Sequence, residues 1–363
     1  MKIAIADWQR LDNTIGGCEV FFEQLGKALN AEIVDYKRAQ TVLGYTTFPN
    51  KYYRYAIADR TFMISEYFEK LAEIGMQPDV IIANDGVVAW MDTDIPVISV
   101  TQNTCRDVGE WFQKTASADK HVHLEFDKFM GKLQRDQIAR SIKNVCVSNY
   151  ALDYCKKWGL KAKVPNAEVK IELGINPDIF KPMNKKDLRE KYEFPLDKKI
   201  GIWAGSFNPI AGYHIVQWLV KQFPDIFWIL VFKHTIDNVD RTKLKNVKVF
   251  CERTQAEMAE LYNCADFFVL PTPIQSFGLV ATEAAACDLP IITNRKGIFW
   301  DWQPEKVGIF PEEYDGPVFA DAVRKVVQGN LNFEPRKTIL ERGLTMDRCV
   351  KEWKDLITRT AFK

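Results

Sequence analysis

Apolar residues in this chain gather into runs of four to six, separated by longer stretches in which they recur at helical spacing. The runs predict strands over Ile3–Ala6, Ala31–Val34, Val80–Ala83, Val97–Val100 and Val145–Val147. A second series follows over Ile200–Ala204, Phe227–Phe232, Val247–Phe250, Phe267–Leu270 and Ile291–Thr293. The periodic stretches predict helices over Glu19–Leu29, Ser65–Ile74, Phe126–Ile142, Tyr213–Gln222, Gln255–Asn263, Ser276–Cys287 and Phe319–Val327. Strands that are apolar along their whole length and alternate with helices predict parallel sheets covered on both faces. Ten of them exceed one ordinary sheet, so the expected class is α/β with two doubly wound domains.

Length supports that division, since 363 residues outgrow a single core. The boundary is expected near Pro177–Pro182, ahead of the charged stretch 184–199, giving one domain over 1–178 and a second over 179–344. Beyond them, Cys349, Trp353 and Ile357 recur at spacing four, which reads as a terminal amphipathic helix over 345–363. Two facing domains of this kind leave a cleft at the carboxyl ends of their strands, where ligands bind.

Composition removes several classes of function. A net charge of +1 supplies no global field toward nucleic acid or membrane. The eight cysteines form no Cys-x-x-Cys pair and most lie in apolar runs, as in Val145-Cys-Val147, so they read as reduced core residues. His121 and His123 have no acidic or thiol partner at ligand spacing, so no metal is expected. The sequence opens on the strand Ile3–Ala6, and no apolar run reaches bilayer length. The expectation is a cytoplasmic protein with at most peripheral membrane association.

Chemistry concentrates in Pro271–Thr293, a polar loop between two buried strands with a helix opening near Phe277. The backbone N–H groups of Phe277, Gly278 and Leu279, at the positive end of that helix, suit a phosphate. Glu283 lies two turns in, where a carboxylate gains nothing from the dipole and is better placed to bind hydroxyls. Near the N-terminus, Gly16 and Gly17 follow the first strand and permit close approach of backbone to a ligand, or simply a tight turn. The stretch 46–62 interleaves cations with aromatics, Tyr52 and Arg54 among them. It could stack a sugar or base and meet phosphates, rest on a membrane, or form a partly buried helix.

The segment Pro271–Thr293 resembles the nucleotide-sugar site of retaining GT-B glycosyltransferases, the group 1 or family 4-like enzymes. Gly16-Gly-Cys-Glu19 matches their Gly-Gly-x-Glu motif, while Val145–Tyr150 and Glu172–Pro182 match the strand and linker between their domains. The resemblance implies two Rossmann-like domains, the first for acceptor and the second for donor, with the last helix crossing back to the first. It implies a nucleotide-diphosphate sugar, UDP-linked by preference, as co-substrate, no metal, and transfer with retention. Glu283, the second acid of a Glu-x7-Glu pair, would hold the ribose. Gln275 stands at the first acid and Asn103 at a histidine, both beside the sugar; the latter exchange suits a smaller sugar such as a pentose. Gly16, Gly17, Phe277, Gly278 and Leu279 would hold phosphates, and Tyr52, Arg54 and Asp85 the acceptor.

One departure is larger. The family's Gly-Arg-x4-Lys-Gly becomes Gly205-Ser206 through Ala211-Gly212, without either cation. Each charged hydrogen bond lost costs roughly 1.5–3 kcal/mol. Replacement is expected from Lys233, Arg253, Arg295 or Lys296. The acceptor is expected to be a saccharide, lipid or small metabolite. A hydroxymethylated base in DNA is the alternative, disfavoured by near-neutral charge. A non-catalytic GT-B binding protein is the rival of another class.

Overall fold

The protein is described from a computed structural model that covers residues 1–8, 17–44, 53–115, 128–234, 246–301, 304–329 and 331–361. Gly16, Tyr52, His121 and His123 lie outside the described residues. The chain divides into two compact units, Met1–Glu172 with Val350–Lys363, and Leu173–Cys349.

In the first unit, β1 (Ile3–Ala6), β2 (Glu32–Val34), β3 (Val80–Asn84), β4 (Val97–Thr101), β5 (Lys143–Cys146) and β6 (Glu168–Lys170) form one parallel sheet. Its order is β2-β1-β3-β4-β5-β6. Residues of β3 and β4 are buried throughout, as their unbroken apolar runs require. The connecting helices are Gly17–Leu29, Tyr36–Leu43, Tyr53–Glu73, Cys105–Lys114, Gly131–Arg140 and Asn149–Lys157. The helix expected over 65–74 starts earlier, at Tyr53. That expected over 126–142 is α-helical only over Gly131–Arg140, preceded by a wider π turn at 128–130.

The second unit repeats the plan with β7 (Ile200–Gly205), β8 (Phe227–Phe232), β9 (Val247–Cys251), β10 (Phe267–Leu270), β11 (Ile291–Thr293) and β12 (Gly308–Ile309). All neighbours are parallel, in the order β12-β11-β10-β7-β8-β9. β6 and β12 are absent from the sequence-based expectation because Glu-Val-Lys and Gly-Ile are too short to make an apolar run. Both are edge strands, paired on one side only.

Connectivity reverses direction at one place in each sheet. The chain leaves β1 for β2 on one side and returns to β3 on the other; likewise it runs β7-β8-β9 and returns to β10. At such a switch point the following loops diverge and open a crevice at the carboxyl ends of the two strands.

The connection after residue 172 belongs with the second unit. The Arg336 guanidinium donates to the carbonyls of Phe180 (2.7 Å), Ala286 (2.5 Å) and Pro177 (3.4 Å), fastening the connection to the helix Leu279–Ala286. The boundary expected at 178/179 thus falls inside this fastened stretch. Ile175 bridges Thr345 just ahead of the last helix, Met346–Ala361, on which Cys349, Trp353 and Ile357 are buried.

Candidate functional site

At the switch point of the second unit, the loop after β7 meets the loop after β10. Gly212 has a φ of +70°, and a Cβ there would fall onto the Pro271 carbonyl oxygen, so the two loops close only around glycine. Residues 206–212 are held by three further bonds. The Asn208 side chain accepts from Ala211 N (2.8 Å), Trp203 Nε1 donates to Ala211 O (3.0 Å), and Tyr314 OH donates to Pro209 O (2.6 Å). Where the family's arginine would begin the loop, Gly205 and Ser206 are followed by Phe207, 58% exposed and packed on Tyr213 and Phe232. The loop presents an aromatic face instead of a guanidinium.

The loop after β10 is pinned by Asn294. Its side-chain oxygen accepts from Thr272 N (3.1 Å), and its amide nitrogen donates to Pro311 O (3.0 Å) and Glu313 O (3.3 Å). Ile298 N donates to Phe277 O (2.9 Å), bringing residues 294–298 alongside. The helix expected from Ser276 starts at Leu279, because Gly278 takes a φ of +101° and breaks the helical path. No side chain caps its first turn, which leaves the leading N–H groups to a ligand or solvent. Gln275 folds over this opening: its Oε1 lies 2.9 Å from where a Cβ on Gly278 would be, and its Nε2 donates to Lys296 O at 3.5 Å. The structure therefore brings Gln275, Phe277, Gly278 and Leu279 together.

Glu283 sits deeper than a surface ligand-binding carboxylate. It is 7% exposed, accepts from Tyr262 OH at 3.4 Å, and also from the Gln255 side chain. Burial pushes it up to about 8, and those two donors only partly offset the shift. A carboxylate with so few donors is short of hydrogen bonds when ionised, and a pair of ribose hydroxyls would supply them.

The four candidate cations differ. Arg253 is already paired, with Glu257 Oε1 at 2.6 Å, and the same Glu257 closes the capping box of the helix Gln255–Cys264. Lys296 lies 5.5 Å over the Trp300 ring. Lys233 follows β8, its N–H bonded to Gly205 O at 3.0 Å. Arg295 is exposed on the loop beside Gln275 and makes no ion pair with the described residues.

At the switch point of the first unit, side chains take over from backbone. Asp85, fully buried after β3, accepts from Gln102 N (3.2 Å), Asn103 N (2.9 Å), Asn103 Nδ2 (2.6 Å) and Gln134 Nε2 (2.7 Å). Gln134 also donates to Asn103 O (2.8 Å) and accepts from Tyr154 OH (2.7 Å). These bonds engage both Asp85 oxygens and tie down Asn103. Asn103 is exposed, its backbone and amide nitrogen both tied to Asp85. Burial carries Asp85 up to about 7 against those donors.

Asp7, which directly follows β1, is also buried and pushed up to about 7 by burial, with Glu19 and Asp85 adding to the shift. It accepts from Trp8 N and Asn84 Nδ2, each at 2.8 Å. Sequence reasoning passed over Asp7; the available signal was a polar residue directly following an apolar strand. Gly17 opens the first helix, with Glu19 in its first turn. Arg54 lies in the first turn of the helix Tyr53–Glu73.

Both units match GT-B proteins over nearly their whole length. A sucrose-phosphate synthase from Thermosynechococcus elongatus superposes with a TM-score of 0.79 at 16% identity, over 99% of this chain and 98% of that one. HepE of Anabaena, solved with UDP and glucose, gives 0.72 at 15% identity over 99% of each. The fold is GT-B. Within it, residues 198–329 match the family described as "Glycosyl transferases group 1". An uncharacterized glycosyltransferase of Methanocaldococcus jannaschii is 27% identical over 220 residues, 58% of this chain and 57% of the relative. A D-inositol 3-phosphate glycosyltransferase of Mycobacteroides abscessus is 24% identical over 138 residues, 35% of this chain and 31% of the relative. The matched stretches thus span less than two thirds of these relatives. Among the described residues no helix is long and apolar enough to cross a membrane, and no three potential ligands gather to hold a metal.

Proposed function

We propose that this protein is a glycosyltransferase that moves a sugar from a nucleotide diphosphate, UDP by preference, to a hydroxyl acceptor with retention of configuration. The observation that carries this reading is the second-unit switch point: an uncapped helix start at Gly278, with the donor-poor carboxylate of Glu283 in the same short helix. Backbone N–H groups there suit the diphosphate, and Glu283 suits the ribose hydroxyls. HepE, solved with UDP and with UDP-glucose, supports the choice of nucleotide.

In this mechanism the backbone at Phe277, Gly278 and Leu279 receives the diphosphate. Arg295 and Lys233 supply the positive charge that Ser206 and Ala211 do not, and Arg253 contributes least because Glu257 already holds it. Gln275 orients the sugar. The acceptor oxygen forms its bond to the anomeric carbon on the face from which the diphosphate departs. The acceptor proton passes to the departing phosphate oxygen, so no protein nucleophile is needed, and stabilisation of the diphosphate charge is the main catalytic term. The reading calls for no metal, so activity should survive EDTA.

A thermal-shift series with UDP, ADP, GDP and their glucose conjugates tests the reading. UDP and UDP-glucose should stabilise the full chain, and UDP-glucose should slowly release UDP. Stabilisation without release in the presence of any acceptor would indicate a binding protein, and no response to any donor would reject both.

A further inference from the structure

Cys146, which ends β5, and Cys155, on the helix Asn149–Lys157, bring their sulfurs to 3.7 Å in the core of the first unit. Both are free thiols. Their surroundings are polar. Thr101 Oγ1 donates to Asn144 Oδ1 (2.9 Å), and the Asn144 amide nitrogen faces both sulfurs, 3.6 Å from Cys146 and 3.5 Å from Cys155. Thr101 Oγ1 lies 3.8 Å from the Cys155 sulfur. Thr101 and Asn144 are fully buried, and packing two small apolar residues would call for neither.

This setting divides the two thiols chemically. The bond with Cys146, helped by Thr101 and Asn144, holds the Cys155 thiol below its usual value although burial opposes them. The same contact, and then burial, holds Cys146 well above it. Burial raises Cys105, Cys264 and Cys287 instead. Since the thiolate is the nucleophile, Cys155 is the attacking sulfur and Cys146 its resolving partner. A disulfide holds its sulfurs about 2.05 Å apart, so the gap must close by about 1.7 Å. Cys146 is fixed in the sheet between β4 and β6, so the movement falls on the helix that carries Cys155. Beside Cys155, Tyr154 OH accepts from Arg106 N (3.2 Å) and donates to Gln134, which in turn serves Asp85 and Asn103.

We infer that Cys146 and Cys155 form a peroxide-sensitive dithiol, whose closure draws Tyr154 from Gln134 and loosens the Asp85–Asn103 network. Both sulfurs are buried, so the oxidant is a small one, hydrogen peroxide, rather than a bulky disulfide. The Cys155 thiolate attacks one peroxide oxygen; the S–O bond forms and the O–O bond breaks. The departing hydroxide takes up the proton that Cys155 released and leaves as water. The Cys146 sulfur then attacks the sulfenic sulfur of Cys155, forming the S–S bond and breaking the S–O bond. The second hydroxide takes the Cys146 proton, so two thiols and one peroxide give one disulfide and two waters. None of these steps depends on which donor or acceptor the protein uses.

Hydrogen peroxide added to the folded full chain, followed by thiol blocking and peptide mapping, tests the inference. A bridge between Cys146 and Cys155 should form, and this measurement on the parent needs no variant to fold. In C146A the reaction should stop at a Cys155 sulfenic acid, which dimedone traps. Hydrogen exchange over 102–107, which carries the Asn103 and Arg106 N–H groups, should quicken about tenfold in the bridged protein. The same segment should not respond to peroxide in C155A. If peroxide modifies Cys18 or Cys251 while Cys146 and Cys155 stay reduced, the pair is ordinary core packing and the inference fails. Oxidation of Cys155 to a sulfinic acid without a bridge in the parent would overturn it as well. A bridge that leaves exchange over 102–107 unchanged would refute the coupling to Asn103.

Discussion

The two switch points solve one problem with different materials. In the second unit the crevice is shaped by backbone: Gly212 under Pro271, Gly278 at +101°, and Ile298 bonded to Phe277. In the first it is shaped by side chains, with Asp85 gathering Gln102, Asn103 and Gln134, and Tyr154 closing the far side. A backbone crevice presents N–H groups and suits an anion of fixed geometry. A side-chain crevice can be re-specified one residue at a time, which suits the half of a transfer reaction whose partner varies between relatives. The division of labour proposed above follows that physical difference.

Substitutions can break or sharpen this contrast. The largest effect is expected from G212A, because the added methyl meets a carbonyl oxygen and the backbone is at positive φ; destabilisation should exceed about 3 kcal/mol. Urea unfolding measures it, and a normal midpoint would show that the two loops are not locked together. D85A leaves several buried donors without an acceptor and should cost about 3 kcal/mol, with D85N costing less. If D85A is as stable as the parent, the side-chain account of the first unit is wrong.

E283Q separates stability from binding. Glu283 titrates near 4.5 when unfolded and at about 8 when folded, so between those values the folded state holds the proton more tightly. Stability of the parent therefore falls as pH rises from about 4.5 to 8 and levels off above. The glutamine variant lacks this loss, so its advantage in unfolding free energy should widen across that window, to at most about 4–5 kcal/mol at pH 8. UDP affinity of the same variant should drop about tenfold, in keeping with loss of a hydrogen bond to a charged group. A constant gap from pH 5 to 8 would mean that Glu283 is solvated.

Two smaller effects complete the series. Q275E restores an acid beside the helix start and gives up only the long bond to Lys296 O, so stability should change by less than about 1 kcal/mol. The informative readout is UDP-glucose turnover. R253A removes a partly exposed pair worth about 0–1 kcal/mol, and should leave UDP affinity within about twofold. A tenfold loss would return Arg253 to the phosphates.

The same contrast decides what the sequence could reveal. The second-unit site is nearly contiguous, from Pro271 to Gly297, so its loop, helix and carboxylate read as one motif. Even there the helix start moved from 276 to 279, because a positive φ at Gly278 leaves no mark in apolar periodicity. Strands such as Phe227–Phe232 were legible because burial on both faces writes an unbroken apolar run. The first-unit network joins Asp7, Asn84, Asp85, Asn103, Gln134 and Tyr154, residues as far as 77 positions apart along a single hydrogen bond. Nothing in local pattern links them; only the sheet order does. Polar residues directly after buried strands are the readable trace, Asp7 after Ile3–Ala6 and Asp85 after Val80–Asn84.

The contact between Gln275 and Gly278 constrains how this site can change over time. A methyl group on residue 278 would displace the amide of residue 275, so neither position can be altered without consequence for the other. A lineage that exchanged Gln275 for a larger or charged side chain would find residue 278 unable to leave glycine. One that first lost Gly278 would find an acid at residue 275 harder to accommodate. The two positions therefore form a single heritable choice, and laboratory evolution toward new donors should explore them as a pair.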